Sequence, residues 1–430
     1  MQKKIKIIIL LISLFVVILA VLSFSNKKIG KKIFFLLNNE SQTIVLSIFN
    51  NAKTTKKIQN DIKSKFLPET QQLKVDVRKI RIENLKENKV GYGGKAKTKK
   101  SFYIEEYKNN IFIADVFGNI FFSPLNNLNQ KNKNFNKIEN NLSNIKVKDF
   151  LFDEGLIYLS TVQNDKKCNK IKLFKSKLNF KKLMFKEIFS SQNCEKLYDI
   201  QAGRIVIFEN KSEKFILLAT NTDETSKAGK KEYISYAQDP ESIFGKTILI
   251  DLKDFSYKIF SLGHRNILGL YFDEKSKFII ATENGPEGGD EINKIRVNEN
   301  YGWNLSSYGE SYNKQRSDKP NYKKNHKRQN FKEPIISFIP AIAPTQIVRI
   351  HDNFSIMWKD NFIMGSLVGK SLYRIKFDDD FNKVFFIEKI FIGERIRDVA
   401  FSKSLNAILL AMEDSGSIGI IKNFNNSNLR

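Results

Sequence analysis

Residues 270–282 read LYFDEKSKFIIAT, two apolar runs joined by a short polar turn. A polar turn between two runs of strand-forming residues is typical of a β-hairpin. Related units, each with a turn rich in Asp, Asn, Glu or Lys beside a run of Ile, Phe, Leu and Val, recur along the chain. They lie at residues 107–123, 150–160, 205–220, 357–377 and 400–412.

These six units are spread over residues 73–430, with no convincing helix of ordinary length between them. A radial repeat of this kind predicts an all-β fold, a six-bladed β-propeller of four-stranded antiparallel blades. The longest gap between units contains a polar insertion at residues 304–332. A pair of β-sandwiches is the alternative, but repeats along the whole chain suit a propeller better. Propellers bind ligands at one end of the central channel, so candidate functional residues are sought in loops.

The composition limits the chemistry. The chain has 430 residues, of which 41% are hydrophobic, so it can bury a large core and is not globally disordered. Two Cys and three His leave little room for a zinc-ribbon, iron–sulfur or multi-histidine metal site. The 72 Lys and Arg against 46 Asp and Glu give a net charge of +26. Because lysines occur in nearly every turn, a solvated surface explains most of this charge.

The amino terminus predicts export. Lys3, Lys4 and Lys6 precede an apolar run over residues 7–21. The run continues to about 18 residues, which is long for a signal peptide and near the lower limit for a membrane-spanning helix. We expect residues 1–26 to form a signal anchor, with a cleaved signal as the alternative. The chain is then periplasmic and anchored in the inner membrane, or secreted if the signal is cleaved, and nucleic acid is not a partner.

Residues 27–72 differ from the rest of the chain. Ile44, Ile48, Ile58 and Ile62 are among apolar residues that recur at helical spacing, and Pro68 follows the second run. We therefore expect a short juxtamembrane helical segment at residues 27–72, followed by the propeller at 73–430.

Cys168 and Cys194 flank residues 170–189, whose apolar positions alternate like the two strands of a hairpin. A disulfide between them would suit an oxidising compartment and would stabilise the fold by about 3.5 kcal/mol. Two unrelated buried thiols are the alternative.

A loop at residues 283–303 carries candidate metal ligands. Gly285 and Pro286 form a tight turn whose carbonyls can point outward, and Asp290 and Glu291 add hard oxygen ligands suited to Ca²⁺. Tyr301 offers aromatic packing nearby. An acidic, glycine-rich turn without an ion is the alternative.

Two arginines favour an anionic ligand. Arg395 and Arg397 are two positions apart on a predicted strand, so both guanidinium groups face one side. The alternative is that they pair with nearby acids such as Glu394 and Asp398.

Residues 263–303, with FIPAIAPTQIV at 338–348 and GERIRDVAF at 393–401, resemble the soluble pyrroloquinoline-quinone (PQQ)-dependent glucose/sorbosone dehydrogenases, also called aldose sugar dehydrogenases. The resemblance is strong over residues 261–414, weaker over 73–260 and absent before that. It implies a six-bladed propeller that oxidises an aldose at C1, with hydride passing to PQQ while Ca²⁺ polarises the quinone. The partners it implies are a small-molecule sugar or quinone.

The resemblance also assigns roles to residues. Those that match quinone-contacting positions are Arg265, Asn266, Arg395 and Arg397. Gly285 and Pro286 match the pair whose carbonyls hold the cofactor-bound Ca²⁺. The positions linked to family calcium sites are Asp290, Glu291 and Tyr301.

Several positions depart from the family. The general-base histidine, four residues before the Arg of a GRLVF-like strand, is replaced by Ile200 in DIQAGRIVIF. His264 is a remote substitute for that base. Ile339 and Val368 stand where the family has polar or aromatic contacts. Loss of a general base costs about 10²–10⁴-fold in rate, so the alternative function is a catalytically degenerate propeller that binds a carbohydrate, a quinone or an envelope partner.

Overall fold

The computed structural model describes residues 75–90, 97–129, 135–165, 168–192, 202–222, 236–311 and 322–422. All of them belong to one compact unit, Leu73–Arg430. The predicted anchor at 1–26, the helical segment at 27–72, Cys194 and Ile200 lie outside the described residues, as does the predicted disulfide. Within the described ranges no helix has the length and apolar character needed to cross a membrane.

Twenty-seven β-strands lie in the described part of the chain. The first twelve are β1 (Arg78–Arg81), β2 (Asn88–Val90), β3 (Lys97–Lys99), β4 (Phe102–Tyr107), β5 (Asn110–Asp115), β6 (Ile120–Pro124), β7 (Asn136–Asn140), β8 (Ile145–Asp153), β9 (Leu156–Asp165), β10 (Cys168–Lys177), β11 (Lys182–Leu183) and β12 (Lys186–Ser190). The other fifteen are β13 (Ile205–Asn210), β14 (Glu213–Ala219), β15 (Lys246–Asp251), β16 (Tyr257–Leu262), β17 (Ile267–Asp273), β18 (Phe278–Glu283), β19 (Asp290–Ile295), β20 (Ile336–Phe338), β21 (Pro344–Arg349), β22 (Phe362–Ser366), β23 (Ser371–Phe377), β24 (Val384–Phe391), β25 (Ile396–Ser402), β26 (Ala407–Met412) and β27 (Ser417–Lys422). Short 3₁₀ helices span Leu125–Asn129, His326–Gln329 and Ile356–Trp358.

The strands form six blades and one small hairpin, β2 with β3. Blade 1 contains β4 to β7, with β11 added at its outer edge, and blade 2 contains β8, β9, β10 and β12. Blades 3, 4 and 5 are β13 to β16, β17 to β20 and β21 to β24, and blade 6 is β25 to β27 with β1. The six-bladed propeller of four-stranded antiparallel blades is confirmed, and each of the six repeated units lies in a different blade.

The ring closes in two ways. Strand β1 pairs antiparallel with β27, so a strand from the start of the propeller completes the last blade. The first strand of every blade contacts the first strand of the next blade around the whole ring, including β25 with β4. The inner edge of each blade has no ladder partner, but it is short and is protected at the centre of the ring. The six inner strands therefore surround a central channel.

The repeated apolar runs correspond to strands that are covered on both faces. In β26 every residue is buried, because neighbouring blades pack against each face. This burial explains why such strands are continuously apolar instead of alternating. The predicted hairpin at residues 170–189 is also present, since β10 pairs antiparallel with β12.

Candidate functional site

The residues singled out from the sequence lie at one end of the propeller. Arg265 and Asn266 directly precede β17, and Arg395 directly precedes β25. Gly285 and Pro286 follow β18, which is antiparallel to β17, so their turn lies at the end where β17 begins. Inner strands of a propeller run in the same direction, and these residues therefore share the end at which the inner strands begin.

Four inner strands show a register shift at this end, and in three of them a single residue is left out of the ladder. The pairing register shifts at Lys148 in β8, at Leu268 in β17 and at Arg397 in β25. A bulge leaves one residue out of the ladder and redirects its side chain. All three bulged residues line one narrow recess, which we call the channel mouth. Its other lining residues are Tyr103, Gly203 and Arg204.

Arg204, which lines the channel mouth, is 3% exposed. Its Nε donates to the Leu268 carbonyl at 2.7 Å and its Nη1 donates to Asp149 Oδ1 at 3.1 Å. Its Nη2 donates to the Arg397 carbonyl at 3.2 Å and lies 2.8 Å from Asp398 Oδ1. One guanidinium thus connects blades 2, 3, 4 and 6.

Asp149 and Asp398 hold neighbouring inner strands in matching ways. Asp149 Oδ2 accepts a hydrogen bond from the Ile205 amide, and Asp398 Oδ2 accepts one from the Ile104 amide, each at 3.0 Å. Burial raises the pKa of Asp149 to about 7, although Arg204 opposes the shift, and burial also raises the pKa of Asp398. Two buried acids share one guanidinium, so the second negative charge is poorly compensated.

Arg395 and Arg397 converge on Glu413. Arg397 Nε donates to Glu413 Oε2 at 2.8 Å, and Arg395 Nε donates to Glu413 Oε1. Both arginines therefore pair with an acid, as the alternative expected, but with Glu413 and not with the acids named there. Glu394 pairs with Lys79, and Asp398 pairs with Arg204. Within the described ranges, no protein acceptor meets the terminal Nη atoms of either arginine. Two guanidinium groups held by one acid form an arrangement suited to a carboxylate or phosphate ligand.

Arg265 is fixed by the loop that follows β18. Its Nη1 donates to the Asn284 carbonyl at 2.8 Å, its backbone N–H donates to the Glu283 carboxylate, and its guanidinium lies 5.3 Å from the Trp303 ring centroid. Asn266 is 6% exposed, and its main-chain carbonyl accepts a hydrogen bond from the main-chain N–H of Asn284. The end of β18 therefore holds both residues in place.

His264 has a structural environment. It is fully buried, its Nδ1 lies 3.1 Å from Glu283 Oε2, its Nε2 lies 2.8 Å from Ser261 Oγ, and its ring stacks on Tyr301. Because both ring nitrogens are engaged in the protein interior, His264 is poorly placed to act as a general base.

Asp290 holds the Gly285–Pro286 turn. Its Oδ1 accepts from the Gly285 amide at 2.9 Å, and its Oδ2 accepts from the amides of Ile342 and Ala343 at 2.7 Å. Burial raises its pKa to about 6, while these hydrogen bonds oppose the shift. The Asp290 oxygens are committed to backbone N–H groups, and in this arrangement the residue shapes the turn.

The other two predicted calcium residues also have protein partners. Glu291 Oε2 accepts from Asn293 Nδ2 at 3.1 Å, and burial together with the charge of Glu283 raises the pKa of Glu291 well above its usual value. The Tyr301 hydroxyl donates to the Lys294 carbonyl at 2.6 Å. No group of three His, Cys, Asp or Glu side chains within the described ranges is arranged to hold a metal ion.

Oxygen donors suited to a cation do occur beside Gly285. The Asn284 Oδ1 atom is buried and has no hydrogen-bond partner among the residues that the structure describes. The Gly285 carbonyl likewise accepts no hydrogen bond from described residues. Neutral amide and carbonyl oxygens are ordinary Ca²⁺ ligands, so this turn fits a hard cation better than the Asp290 carboxylate does.

Four important residues were missed in the sequence. Glu283 is the last residue of β18 and holds Arg265, whereas Glu413 directly follows β26 and holds Arg395 and Arg397. Lys148 and Arg204 line the channel mouth. The signal was present: VKDFLF at 147–152 and IRDVAF at 396–401 share a basic residue followed by Asp at the start of an inner strand.

Comparison with known proteins agrees with the resemblance noted in the sequence. The model of the glucose/sorbosone dehydrogenase family matches residues 101–421. An uncharacterized protein of Synechocystis sp. is 30% identical over 161 residues, covering 37% of this chain and 38% of that protein. The aldose sugar dehydrogenase YliI of Escherichia coli is 26% identical over 231 residues, covering 50% of this chain and 58% of that protein. The matched segments thus span less than two thirds of these relatives.

Solved structures share the fold. The soluble aldose sugar dehydrogenase of Escherichia coli in its apo form has a TM-score of 0.63 at 18% identity, covering 81% of this chain and 99% of that one. The PQQ-bound aldose sugar dehydrogenase of Streptomyces coelicolor has a TM-score of 0.54 at 15% identity, covering 81% and 98%. Since the family model matches most of the propeller and these structures have the same architecture, the chain belongs to the glucose/sorbosone dehydrogenase family.

Proposed function

We propose that this propeller binds PQQ and Ca²⁺ at the channel mouth and oxidises an aldose at C1. The observation that carries the proposal is the pair Arg395 and Arg397, both oriented by the buried carboxylate of Glu413. Family membership and a PQQ-bound aldose sugar dehydrogenase with the same fold support it.

The described residues fit such a ligand. Arg265, Arg395 and Arg397 supply cations for a tricarboxylate quinone at one end of the ring, and the Gly285 carbonyl and Asn284 Oδ1 supply hard oxygen donors for Ca²⁺. When bound, the quinone would accept hydride and the Ca²⁺ would polarise it. The role of the protein is to orient these groups, with Glu413 holding two arginines and Asp290 holding the turn.

Reconstitution tests this proposal. The purified full-length chain is titrated with PQQ in the presence of Ca²⁺, and bound-quinone absorbance and dye reduction with a panel of aldoses are measured. We expect saturable quinone binding and aldose-dependent dye reduction, with binding lost in Arg397→Met. Arg296→Met is the matched control, since Arg296 is exposed and follows β19 at the opposite end. A chain that binds no quinone would refute the proposal.

A second candidate is favoured by Ile200, which occupies the family's general-base position. In that case the propeller binds a quinone or a carbohydrate without turnover. Bound-quinone absorbance without dye reduction for any aldose would support this candidate over the first. Activity gained in Ile200→His would identify the missing base as the cause.

We also propose that the chain is exported and anchored in the inner membrane. The support is Lys3, Lys4 and Lys6 before the apolar run at residues 7–21. Fusion of a periplasm-dependent reporter to the carboxyl terminus should be active and should sediment with the inner membrane. An inactive fusion in the soluble cytoplasmic fraction would contradict export.

A further inference from the structure

His326 lies between two of the residues that match family calcium positions, Glu291 and Tyr301. Its Nδ1 atom is 3.1 Å from the main-chain carbonyl oxygen of Tyr301, and its Nε2 atom is 3.6 Å from Glu291 Oε1. Because a carbonyl oxygen can only accept a hydrogen bond, Nδ1 carries a proton and donates it. The imidazole ring therefore connects the carboxylate and the carbonyl that the resemblance assigns to a calcium ion.

The ring of His326 is held in the protein interior. It is 1% exposed and stacks on the Tyr308 ring at a centroid distance of 5.1 Å. Tyr308 is itself fixed, because its hydroxyl donates to Glu333 Oε2 at 2.6 Å. The main-chain carbonyl of His326 accepts a hydrogen bond from the Phe331 N–H at 3.0 Å. The imidazole therefore cannot leave its place without breaking these contacts.

Oxygen donors for a cation surround the ring on one face of blade 4. Glu291 and Asn293 are two positions apart on β19, so their side chains lie on the face opposite to Asp290. Asn293 Nδ2 donates to Glu291 Oε2 at 3.1 Å, and Asn293 Oδ1 is buried with no hydrogen-bond partner among the described residues. Together with the Tyr301 carbonyl, these are the ligand types that Ca²⁺ prefers.

A calcium ion and the His326 ring cannot share this position. Ca²⁺ binds oxygen ligands at about 2.3–2.6 Å, so an ion bound by both Glu291 and the Tyr301 carbonyl would lie in the space that the ring occupies. The Nδ1 atom also carries a proton, and a protonated ring nitrogen has no lone pair for a metal. The family ligands are therefore present, but the space between them is filled by protein.

We propose that His326 replaces a calcium ion at this position, so that the loop at residues 300–311 is held without a metal. The inference goes beyond the proposed function, which places Ca²⁺ at the Gly285–Pro286 turn. The same loop carries Trp303, whose ring centroid lies 5.3 Å from the Arg265 guanidinium. Removal of calcium should thus leave this support of Arg265 in place.

The test counts the calcium ions bound by the full-length chain in the absence of PQQ, by equilibrium dialysis with radioactive calcium. His326→Ala opens the position and keeps the oxygen donors, and the double variant His326→Ala/Glu291→Gln removes the carboxylate as well. His351→Ala is the matched control, because His351 is exposed and lies just after β21, at the opposite end of the propeller. Thermal unfolding with and without Ca²⁺ verifies that each variant is folded.

We expect His326→Ala to bind one more Ca²⁺ per chain than wild type, with a dissociation constant of about 10⁻⁴–10⁻³ M, and to gain thermal stability in millimolar Ca²⁺. The double variant and His351→Ala should bind as many ions as wild type. Glu291→Gln alone should also leave the number unchanged, because Glu291 binds no ion while His326 is present.

Two results would overturn the inference. One is a folded His326→Ala variant that binds the same number of ions as wild type. The other is a Glu291→Gln variant that binds one ion fewer than wild type, and this result does not require His326→Ala to fold.

The counts also separate this inference from the proposed function. A wild-type chain that binds no Ca²⁺, with one ion bound in His326→Ala, would refute the calcium at the Gly285–Pro286 turn and leave the inference standing. One ion in both wild type and His326→Ala, lost in Gly285→Ala, would do the reverse.

Discussion

The Nε atom of Arg397 donates a hydrogen bond to the fully buried carboxylate of Glu413 at 2.8 Å. The same carboxylate accepts a hydrogen bond from Arg395. Although burial opposes ionisation, the charges of Arg397 and Arg395 hold the pKa of Glu413 below its usual value. The negative charge of Glu413 therefore offsets the repulsion between two neighbouring guanidinium groups at this end of the propeller.

Glu413→Gln should destabilise the protein by about 3 kcal/mol, because the two arginines lose their shared counter-ion in a buried setting. It should also weaken quinone binding, since the arginines are no longer held in one orientation. Urea unfolding and quinone titration measure the two effects. Glu394→Gln is the control: its partner Lys79 is 47% exposed, so we expect a change below about 1 kcal/mol.

The lowered pKa of Glu413 also predicts how the stability of the protein changes at low pH. A carboxyl whose folded pKa lies below its unfolded value, near 4.3 for Glu, stabilises the fold above that value. This contribution is lost as the pH falls through the folded pKa. Glu413→Gln should therefore lose less stability than wild type between pH 5 and pH 2. Parallel loss in both proteins would show that Glu413 is not a source of the acid sensitivity.

Arg204→Met should destabilise the propeller by about 3–5 kcal/mol, because Asp149 and Asp398 would lose their shared buried cation. Arg374→Met is the matched control; Arg374 pairs with Glu388 on an outer strand of blade 5 and should cost about 1 kcal/mol.

The pH dependence of Arg204→Met has a definite sign. Burial already raises the pKa of Asp149 to about 7, and the loss of Arg204 removes the charge that opposes this shift. An acid with a raised folded pKa favours the folded state at low pH and costs stability as the pH rises. The difference from wild type in free energy of unfolding should therefore be smaller at pH 5 than at pH 8. A larger difference at pH 5 would contradict the assigned pairing.

The propeller could be predicted because its repeats leave a direct mark on the sequence. A strand such as β26, covered on both faces, must be apolar throughout, and the turn before it must be polar. The strand β1, which closes the ring, has no such apolar pattern in the sequence. Residues 78–81 read RKIR, in which only Ile80 is buried, so periodicity gives almost no signal for a strand.

For the candidate site, the sequence identified residues that lie at one end of the propeller, but not the partners that hold them. Two arginines at strand spacing predicted an anion site. Their partner Glu413 lies 16 or more positions away, directly after the next strand, and only the pairing of β25 with β26 brings it close. Asp290 was predicted to bind metal because carboxylates do so. The fold instead surrounds it with three backbone N–H groups, which no local pattern reveals.

Gly203→Ala should destabilise the propeller more than Gly155→Ala does. The new Cβ at position 203 would lie 2.4 Å from Lys148 Cβ, so the lysine stem must move away from the main chain. Gly155→Ala is the control, since Gly155 also has a positive φ, of 82°, but no atom within 4 Å of an added Cβ. We expect Gly155→Ala to lose about 1–2 kcal/mol of stability from backbone strain, and Gly203→Ala to lose more, as measured by urea unfolding. Equal losses in the two variants would show that the contact with the Lys148 stem is not important.

Gly285→Ala should abolish calcium-dependent stabilisation. Its Cβ would lie 2.2 Å from the Gly289 carbonyl oxygen, so the turn must open, and the hydrogen bond from the Gly285 amide to Asp290 would break. If the turn binds Ca²⁺, saturating the wild type at a hundred times its Kd should raise the free energy of unfolding by about 2.7 kcal/mol. The melting temperature with and without Ca²⁺ measures this gain.

Gly288→Ala tests whether backbone strain alone, without the steric clash expected in Gly285→Ala, affects calcium binding by this turn. Gly288 has a φ of 84°, but the nearest atom to a built Cβ is 3.8 Å away. The variant should therefore lose about 1–2 kcal/mol of stability and keep its response to Ca²⁺. Calcium binding would then depend on the geometry of the Gly285 carbonyl and not on the overall stability of the turn. Loss of the calcium response in both variants to the same degree would instead favour a site that depends on the whole loop.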